Sequence, residues 1–416
     1  MKKIAIIGSG ISGLTAAYYL NPHVDIRLYE ADPRLGGHTA TKKITVDGKD
    51  YFIDTGFIVF NDWTYPNFIK LMNELGVESQ ATEMGFSVFS HEQKFEYAGT
   101  NLGTLFAQKR NLLSFKHWRM LSDIVRFNKE SIADLEAGRL APNESLGTYL
   151  ERKKYSTAFK ERYLIPMGSA IWSATQGVML AFPLEFFIRF FKNHGLLNIT
   201  DRPQWRVIKG GSFAYIEPLT KSFKDKIKLN SPVDRVIRHE TGVTVVSNGH
   251  SEEFDEVIFA CHSDQALAAL DSPSDDERAV LGSIAYQKNA VVLHTDSQLL
   301  PSRRKTWSSW NYLLDSDPKR PPVLTYSMNI LQGIKSDTEF CVTLNATHKI
   351  DQRKIVGEYE YAHPVFSQAA IQAQAAWPLI SGVNRTWFCG AYWFNGFHED
   401  GVNSALRVVN AFGIKV

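Results

Sequence analysis

The chain has 416 residues, 44% of them hydrophobic and 22% charged, the composition of a well-buried globular protein rather than a disordered or fibrous one. A formal net charge of +2 points neither to nucleic acid nor to a strongly acidic partner. The 3 cysteines, Cys261, Cys341 and Cys389, are odd in number and far apart, which excludes a disulfide scaffold and suits a reducing cytoplasm.

Lys2 and Lys3 followed by an apolar stretch to Leu20 have the outline of a secretion signal. Glycines in a nucleotide-binding pattern interrupt that stretch and no small-residue cleavage site follows it, so a cytoplasmic protein is expected. No apolar run approaches the roughly 20 residues that span a bilayer.

In chain order, residues 3–7 read as a strand buried on both faces, 11–20 as a helix and 25–29 as a second strand. A hairpin turns at Asp47-Gly48, with alternation through Tyr51, Ile53 and Thr55. The segment 65–200 reads as helical and aromatic. Strands return at 227–229, 234–239, 243–246 and 256–260, with a turn at Asn248-Gly249. A mixed region spans 267–377, and the tail ends in a strand at 386–389, a Gly-rich loop and a helix. The expected fold is α/β: a discontinuous Rossmann-like domain (1–75, 201–266 and 378–416) joined to a mixed α/β substrate domain (76–200 and 267–377).

Gly8-Ser9-Gly10-Ile11-Ser12-Gly13 follows the first strand, and Glu30 ends the second. Gly8 permits the tight turn, Gly10 lets backbone approach a pyrophosphate, and Gly13 lets helix pack on strand. The helix N-terminus offers free N–H groups to phosphates, and Glu30 can accept hydrogen bonds from ribose hydroxyls. Two further blocks ask for a longer cofactor than NAD: Arg34-Leu35-Gly36-Gly37-His38, then Asp54-Thr55-Gly56-Phe57. Paired glycines and an exposed turn let backbone run beside FAD. In the tail, Gly396-Phe397-His398-Glu399-Asp400-Gly401-Val402 opens a helix whose N-terminus would stabilise negative charge on a reduced flavin.

These blocks, in this order, resemble the flavin-containing amine oxidase superfamily, which also holds phytoene desaturase-like and protoporphyrinogen oxidase-like enzymes. Segments such as Arg202-Pro203-Gln204-Trp205, Trp307-Ser308-Ser309-Trp310-Asn311-Tyr312 and His363-Pro364 are similar to a bacterial amine oxidase-like, NAD/FAD-binding subgroup. The resemblance implies that Gly8, Gly10, Ser12 and Gly13 hold the pyrophosphate, and Glu30 with Ala31 the ribose. It implies Arg34, Gly36, Gly37 and His38 along the ribityl path, with His38 standing where amine oxidases commonly have arginine. It implies Thr55, Gly56, Phe57 and Ile58 at the isoalloxazine, Val233 at the adenine, and Gly390, Glu399, Gly401 and Val402 closing the site. Phe397 would stand over the flavin.

No second Gly-x-Gly-x-x-Gly appears, which argues against a separate NAD(P)H domain. Among His194, His262, His294, His363 and His398, the last is the expected proton-transfer residue because it sits in the flavin loop. No metal-ligand spacing is present, so no metal is expected, and Cys389 reads as a buried, inert thiol. Residues 105–129 carry Lys109, Arg110, Lys116, Arg119, Arg126 and Lys129 against a single Asp123, a basic amphipathic run suited to peripheral contact with an anionic membrane. Five phenylalanines in 182–191 could line the path of an apolar substrate. The expectation is an FAD-dependent oxidoreductase acting on a C–H bond of a hydrophobic or acyl chain. An oxidase of small amines or polyamines with oxygen as acceptor and a non-catalytic flavin-binding sensor or assembly factor are the alternatives. The sequence leaves the oligomeric state open.

Overall fold

Among the described residues of the computed structural model, all but 316 and 318, five short strands from three distant parts of the chain form one parallel sheet. Their order is Ile227–Lys228, Asp25–Tyr29, Lys3–Ile7, Glu256–Phe259 and Thr386–Phe388. Every neighbouring pair is parallel. Ile4, Ala5 and Ile6 are fully buried, as a strand covered on both faces requires. The helices Ile11–Leu20 and His398–Ala411 share the core against this sheet with residues from 24–29, 208–284 and 370–409.

The middle segment departs from the sequence reading in one strand. His250–Phe254 pairs with Val243–Ser247, so the Asn248-Gly249 turn closes a hairpin. Both turn residues have positive φ, 49° and 75°, which matches the twist of the flanking strands. Its sequence, HSEEF, has only one buried residue, Phe254, and so no apolar alternation to mark a strand.

The segment 65–200 is not wholly helical as expected. It contributes Phe86–Ser90 and Phe95–Ala98 to a seven-stranded sheet that also holds Trp310–Leu313, Val323–Ser327, Cys341–Leu344, Tyr286–His294 and Ile355–Pro364. Aromatic residues such as Phe89 and Tyr97 suit a pleated, packed surface as well as a helix face. The rest of the segment is helical, with Phe115–Glu136, Leu146–Arg152, Ile165–Trp172 and Leu184–Asn193 packed around Phe127, Phe159 and Phe187. No helix among the described residues is long and apolar enough to cross a membrane.

Candidate functional site: a glycine-packed phosphate corner and a histidine-lined cleft

The corner after the first strand is made of backbone. Gly8 has φ +104°, and a Cβ on it would lie 2.9 Å from the Ala260 carbonyl oxygen. A Cβ on Gly13 would lie 2.0 Å from the Gly8 oxygen, so that position admits glycine alone. Gly10 differs from both: nothing stands within 4 Å of the place its Cβ would take. It caps the helix Ile11–Leu20 with no side-chain hydrogen bond, which leaves the first amides of that helix open beside free space. The Glu30 carboxylate accepts from the amides of Ser9 (2.8 Å) and Asp32 (2.9 Å). Ser231 N–H donates to the Glu30 carbonyl (2.8 Å) and Asn230 N–H to that of Asp32 (3.1 Å), which ties the lead into Val233 to Glu30 and Ala31.

The next loop is stitched to the hairpin end. Arg34 donates to the carbonyls of Leu35 (3.3 Å), Gly37 (2.7 Å) and Thr39 (3.0 Å), so its guanidinium braces the loop it opens. Gly37 abuts Gly10, and a Cβ there would lie 3.2 Å from the Gly10 Cα. Phe57 N–H donates to the His38 carbonyl (2.8 Å), and a Cβ on Gly56 would lie 2.1 Å from that same oxygen. Asp54, fully buried, accepts from Ser212 N–H (2.9 Å) and Gln332 Nε2 (3.1 Å); burial pushes its carboxyl up to about 6.

The tail helix closes against the first. A Cβ on Gly401 would meet Ile11 Cγ2 at 2.6 Å. Gly390 N–H donates to Ser404 Oγ (3.0 Å), and Val402 is buried in the shared core. The Glu399 carboxylate accepts from Asn67 (3.1 Å) and Phe68 (2.8 Å), the first amides of the helix Pro66–Glu74. That carboxylate is a helix cap, which leaves the residue's backbone for a cofactor. Asp400 accepts from Phe397 N–H (2.8 Å), and burial raises it to about 7.

His398, the residue expected to transfer protons, is packed as a brace. Its ring stacks on Phe57 at 3.4 Å, and its Nε2 lies 3.0 Å from Thr39 Oγ1 and 3.2 Å from the Tyr215 hydroxyl. Burial holds its pKa well below the usual range, so it stays neutral. Phe397, beside it, is stacked on Phe190 at 5.1 Å. Phe190 in turn stacks on His194 at 3.9 Å.

Three other histidines gather from three separate elements. The His38 ring lies 5.7 Å from His363, 5.9 Å from His262 and 5.3 Å from Tyr361. Tyr361 and His363 are two apart on the strand Ile355–Pro364, and the Tyr361 hydroxyl is 2.9 Å from Thr55 Oγ1. His38 Nε2 is buried without a partner. Burial lowers His38 to about 3 and His363 to about 4, each with help from neighbouring imidazoles. No group of side chains among the described residues could hold a metal ion.

A relay of amides fixes the proton on His363. Asn345 Oδ1 accepts from Ala290 N–H (3.2 Å), which turns its Nδ2 to donate to Asn289 Oδ1 (3.0 Å). Asn289 Nδ2 therefore faces His363 Nδ1, at 3.3 Å, and Ser173 Oγ stands 3.2 Å from the same nitrogen. With Nδ1 accepting, a neutral His363 carries its hydrogen on Nε2. Strand spacing links Tyr361 to His363, so that pair was findable. Ser173, Asn289 and Asn345 are joined by no spacing at all.

The free space beside Gly10, the uncapped helix amides and the unpartnered His38 nitrogen fit the phosphates and extended body of FAD. Fold and site thus define a flavin-dependent oxidoreductase. The model of the flavin-containing amine oxidoreductase family matches residues 11–329, and the chain belongs to that family. The protoporphyrinogen oxidase of Schizosaccharomyces pombe is 24% identical over 365 residues, 72% of this chain and 69% of that protein. Two more relatives, a coproporphyrinogen III oxidase of Staphylococcus aureus and the bovine flavin-containing amine oxidase A, are matched over only 60% and 46% of their lengths. Among solved structures, cyclohexylamine oxidase from Brevibacterium oxydans IH-35A aligns over 99% of this chain and 98% of its own, at TM-score 0.70 and 16% identity. A CLA-producing fatty acid isomerase from P. acnes aligns over the same shares at TM-score 0.69 and 15% identity. At such identities the likeness is one of fold. The chain binds FAD, and Gly8, Gly10, Gly13, Glu30 and the 36–38 loop are the residues whose geometry suits it.

Proposed function

We propose that this flavoprotein removes hydride from a C–H bond of a hydrophobic substrate, a fatty acyl or other lipid chain, in a desaturation or isomerisation. The observation that carries the reading is the aromatic packing around the half-buried Phe397. One ring face is stacked on Phe190, and Phe366 lies behind the adjoining Gly396, where a Cβ would meet its ring at 3.1 Å. Phe366 stacks on Phe186 at 5.2 Å. His194, the polar member, is held to about 4 by burial and is neutral. An apolar chain loses nothing against such a surface, whereas a cationic amine would be desolvated with no carboxylate among these residues to offset it.

When bound, FAD supplies the two-electron acceptor. The chain's own residues orient and exclude water. We assign hydrogen-bond donation to the bound substrate to His363, in place of proton transfer by His398, because its Nε2–H is free of partners while Nδ1 is held by Asn289 and Ser173. Gln287, paired with His363 across the strands, donates to the Ser173 carbonyl (3.0 Å) and fixes the helical insertion to this edge.

The test is anaerobic addition of an unsaturated fatty acid or phospholipid to the FAD-loaded protein, with flavin absorbance followed and the acyl product analysed. Bleaching together with a new double bond, or a moved double bond without net bleaching, is the expected result. Bleaching by cyclohexylamine or putrescine, with hydrogen peroxide formed in air and no change in the lipid, overturns it in favour of an amine oxidase. Flavin that none of these affects would favour a sensor.

A further inference from the structure

The basic run expected at 105–129 divides in the folded chain. Its inner half is committed to packing: Asp123, buried, holds Arg119 and Arg126, each at 3.3 Å, and Arg126 lies over the Tyr155 ring at 4.1 Å. Its outer end is another matter. Leu113 is 93% exposed, Phe115 81% and Leu102 74%, with Leu112 and Trp118 also exposed. Elsewhere large exposed apolar side chains are scattered, which is ordinary for a protein surface; here they cluster within seventeen residues.

This tip is an ordered platform. Trp118 Nε1 donates to the Leu112 carbonyl (2.8 Å), and its ring packs on Phe106 at 5.1 Å. Ser114 caps the helix Phe115–Glu136, and His117 is buried beneath it against Tyr97 and Phe106. Lys109, Arg110 and Lys116 are exposed among the apolar side chains and form no ion pair among the described residues; Arg110 donates to the Lys94 carbonyl and to Gln108 Oε1 (3.3 Å). Beside them a cavity of about 490 Å³ is lined by Lys94, Gln108, Lys109, Arg110 and Arg303. Its one buried acid, Glu96, is neutralised by Arg303.

We propose that this tip, residues 102–118 with the adjoining basic cavity, docks the protein on an anionic bilayer. Leu113, Phe115 and Trp118 would enter the headgroup boundary, while the cavity accepts a phospholipid headgroup. Apolar side chains ringed by unpaired cations match a leaflet that is oily inside and negative outside. A second copy of the chain is a poor occupant, since each tip would bring the same positive charge to the other. The inference stands apart from the choice of substrate, because docking needs no turnover.

The experiment is cosedimentation of the FAD-loaded full chain with phosphatidylcholine vesicles, with and without phosphatidylglycerol. Binding is expected to require phosphatidylglycerol and to weaken with salt. The double change Lys109→Glu and Lys116→Glu is expected to weaken it roughly 30-fold or more, from the usual contribution of basic residues near an anionic surface. Leu113→Ser with Phe115→Ser is expected to weaken it roughly 10-fold or more. All four positions are exposed, so flavin content and melting temperature should be unchanged and serve as the folding control. Equal binding to both vesicle types, or binding indifferent to these variants, overturns the proposal. So does capture of free glycerol phosphate as tightly as vesicles, or a dimer in solution that the same variants dissolve. Docking without any effect of lipid on the flavin would leave this inference standing and refute the acyl substrate alone.

Discussion

The glycine corner and the histidine cleft are built by opposite means. The corner is made of backbone and of missing side chains: Gly8, Gly10 and Gly13 act through the space they leave or the contact they allow. The cleft is made of side chains brought together from residues 38, 262, 289, 345 and 363, and its properties come from burial and from which nitrogen carries a hydrogen. Backbone geometry tolerates no substitution where atoms touch. A side-chain network can lose a member and keep its fold while its chemistry changes.

The largest effect should come from the corner. Gly13→Ala places a Cβ against the Gly8 oxygen and is expected to cost about 3 kcal/mol and to yield protein without flavin, seen by melting and by absorbance. Gly10→Ala sharpens the point. Its backbone, φ −65° and ψ 177°, suits alanine and the space is open, so stability should hold while FAD affinity falls about tenfold or more. An equal loss of stability in both variants would break the distinction drawn between packing and binding glycines.

Next comes the aromatic packing. Phe190→Ala removes a buried ring and should destabilise by about 3 kcal/mol, while Phe190→Leu should cost less and raise KM for an acyl substrate more than it lowers kcat. In the cleft, Asn289→Asp should draw the hydrogen of His363 onto Nδ1, because a carboxylate accepts where the amide donated. Nitrogen-15 NMR of labelled histidine reads this directly, without cofactor. Turnover should fall in the same variant, because Nε2 then no longer carries the hydrogen it offers to substrate; unchanged turnover would remove His363 from that role.

The smallest effect concerns pH and stability. Histidines with lowered pKa, such as His38, His194 and His363, bind protons less well folded than unfolded, so their contribution is lost as pH falls from about 6.5 toward 4. Asp400, raised to about 7, acts in the other direction: its contribution is present at low pH and is lost as pH rises from about 4 to about 7. Asp400→Asn keeps an acceptor for Phe397 N–H and removes that opposing slope. Melting temperature should then fall more steeply on acidification from pH 6.5 to 4.5 than in the parent.

The sequence by itself determined the parallel sheet, the glycine corner, Glu30, the paired glycines and the tail helix, because each is a local demand on backbone written within a few residues. Asp47-Gly48 and the helix Ile11–Leu20 were legible for the same reason. The strands Phe86–Ser90 and Phe95–Ala98 were not, since aromatic residues serve helix and sheet alike until a partner strand is in place. Only the tertiary structure decided how each histidine is held. His398 lies in the flavin loop by sequence, yet its ring turns into the packing of Phe57, Thr39 and Tyr215. His363, distant in sequence, is aimed by Asn289, Asn345 and Ser173, and a proton's position on an imidazole depends on neighbours that no sequence spacing records.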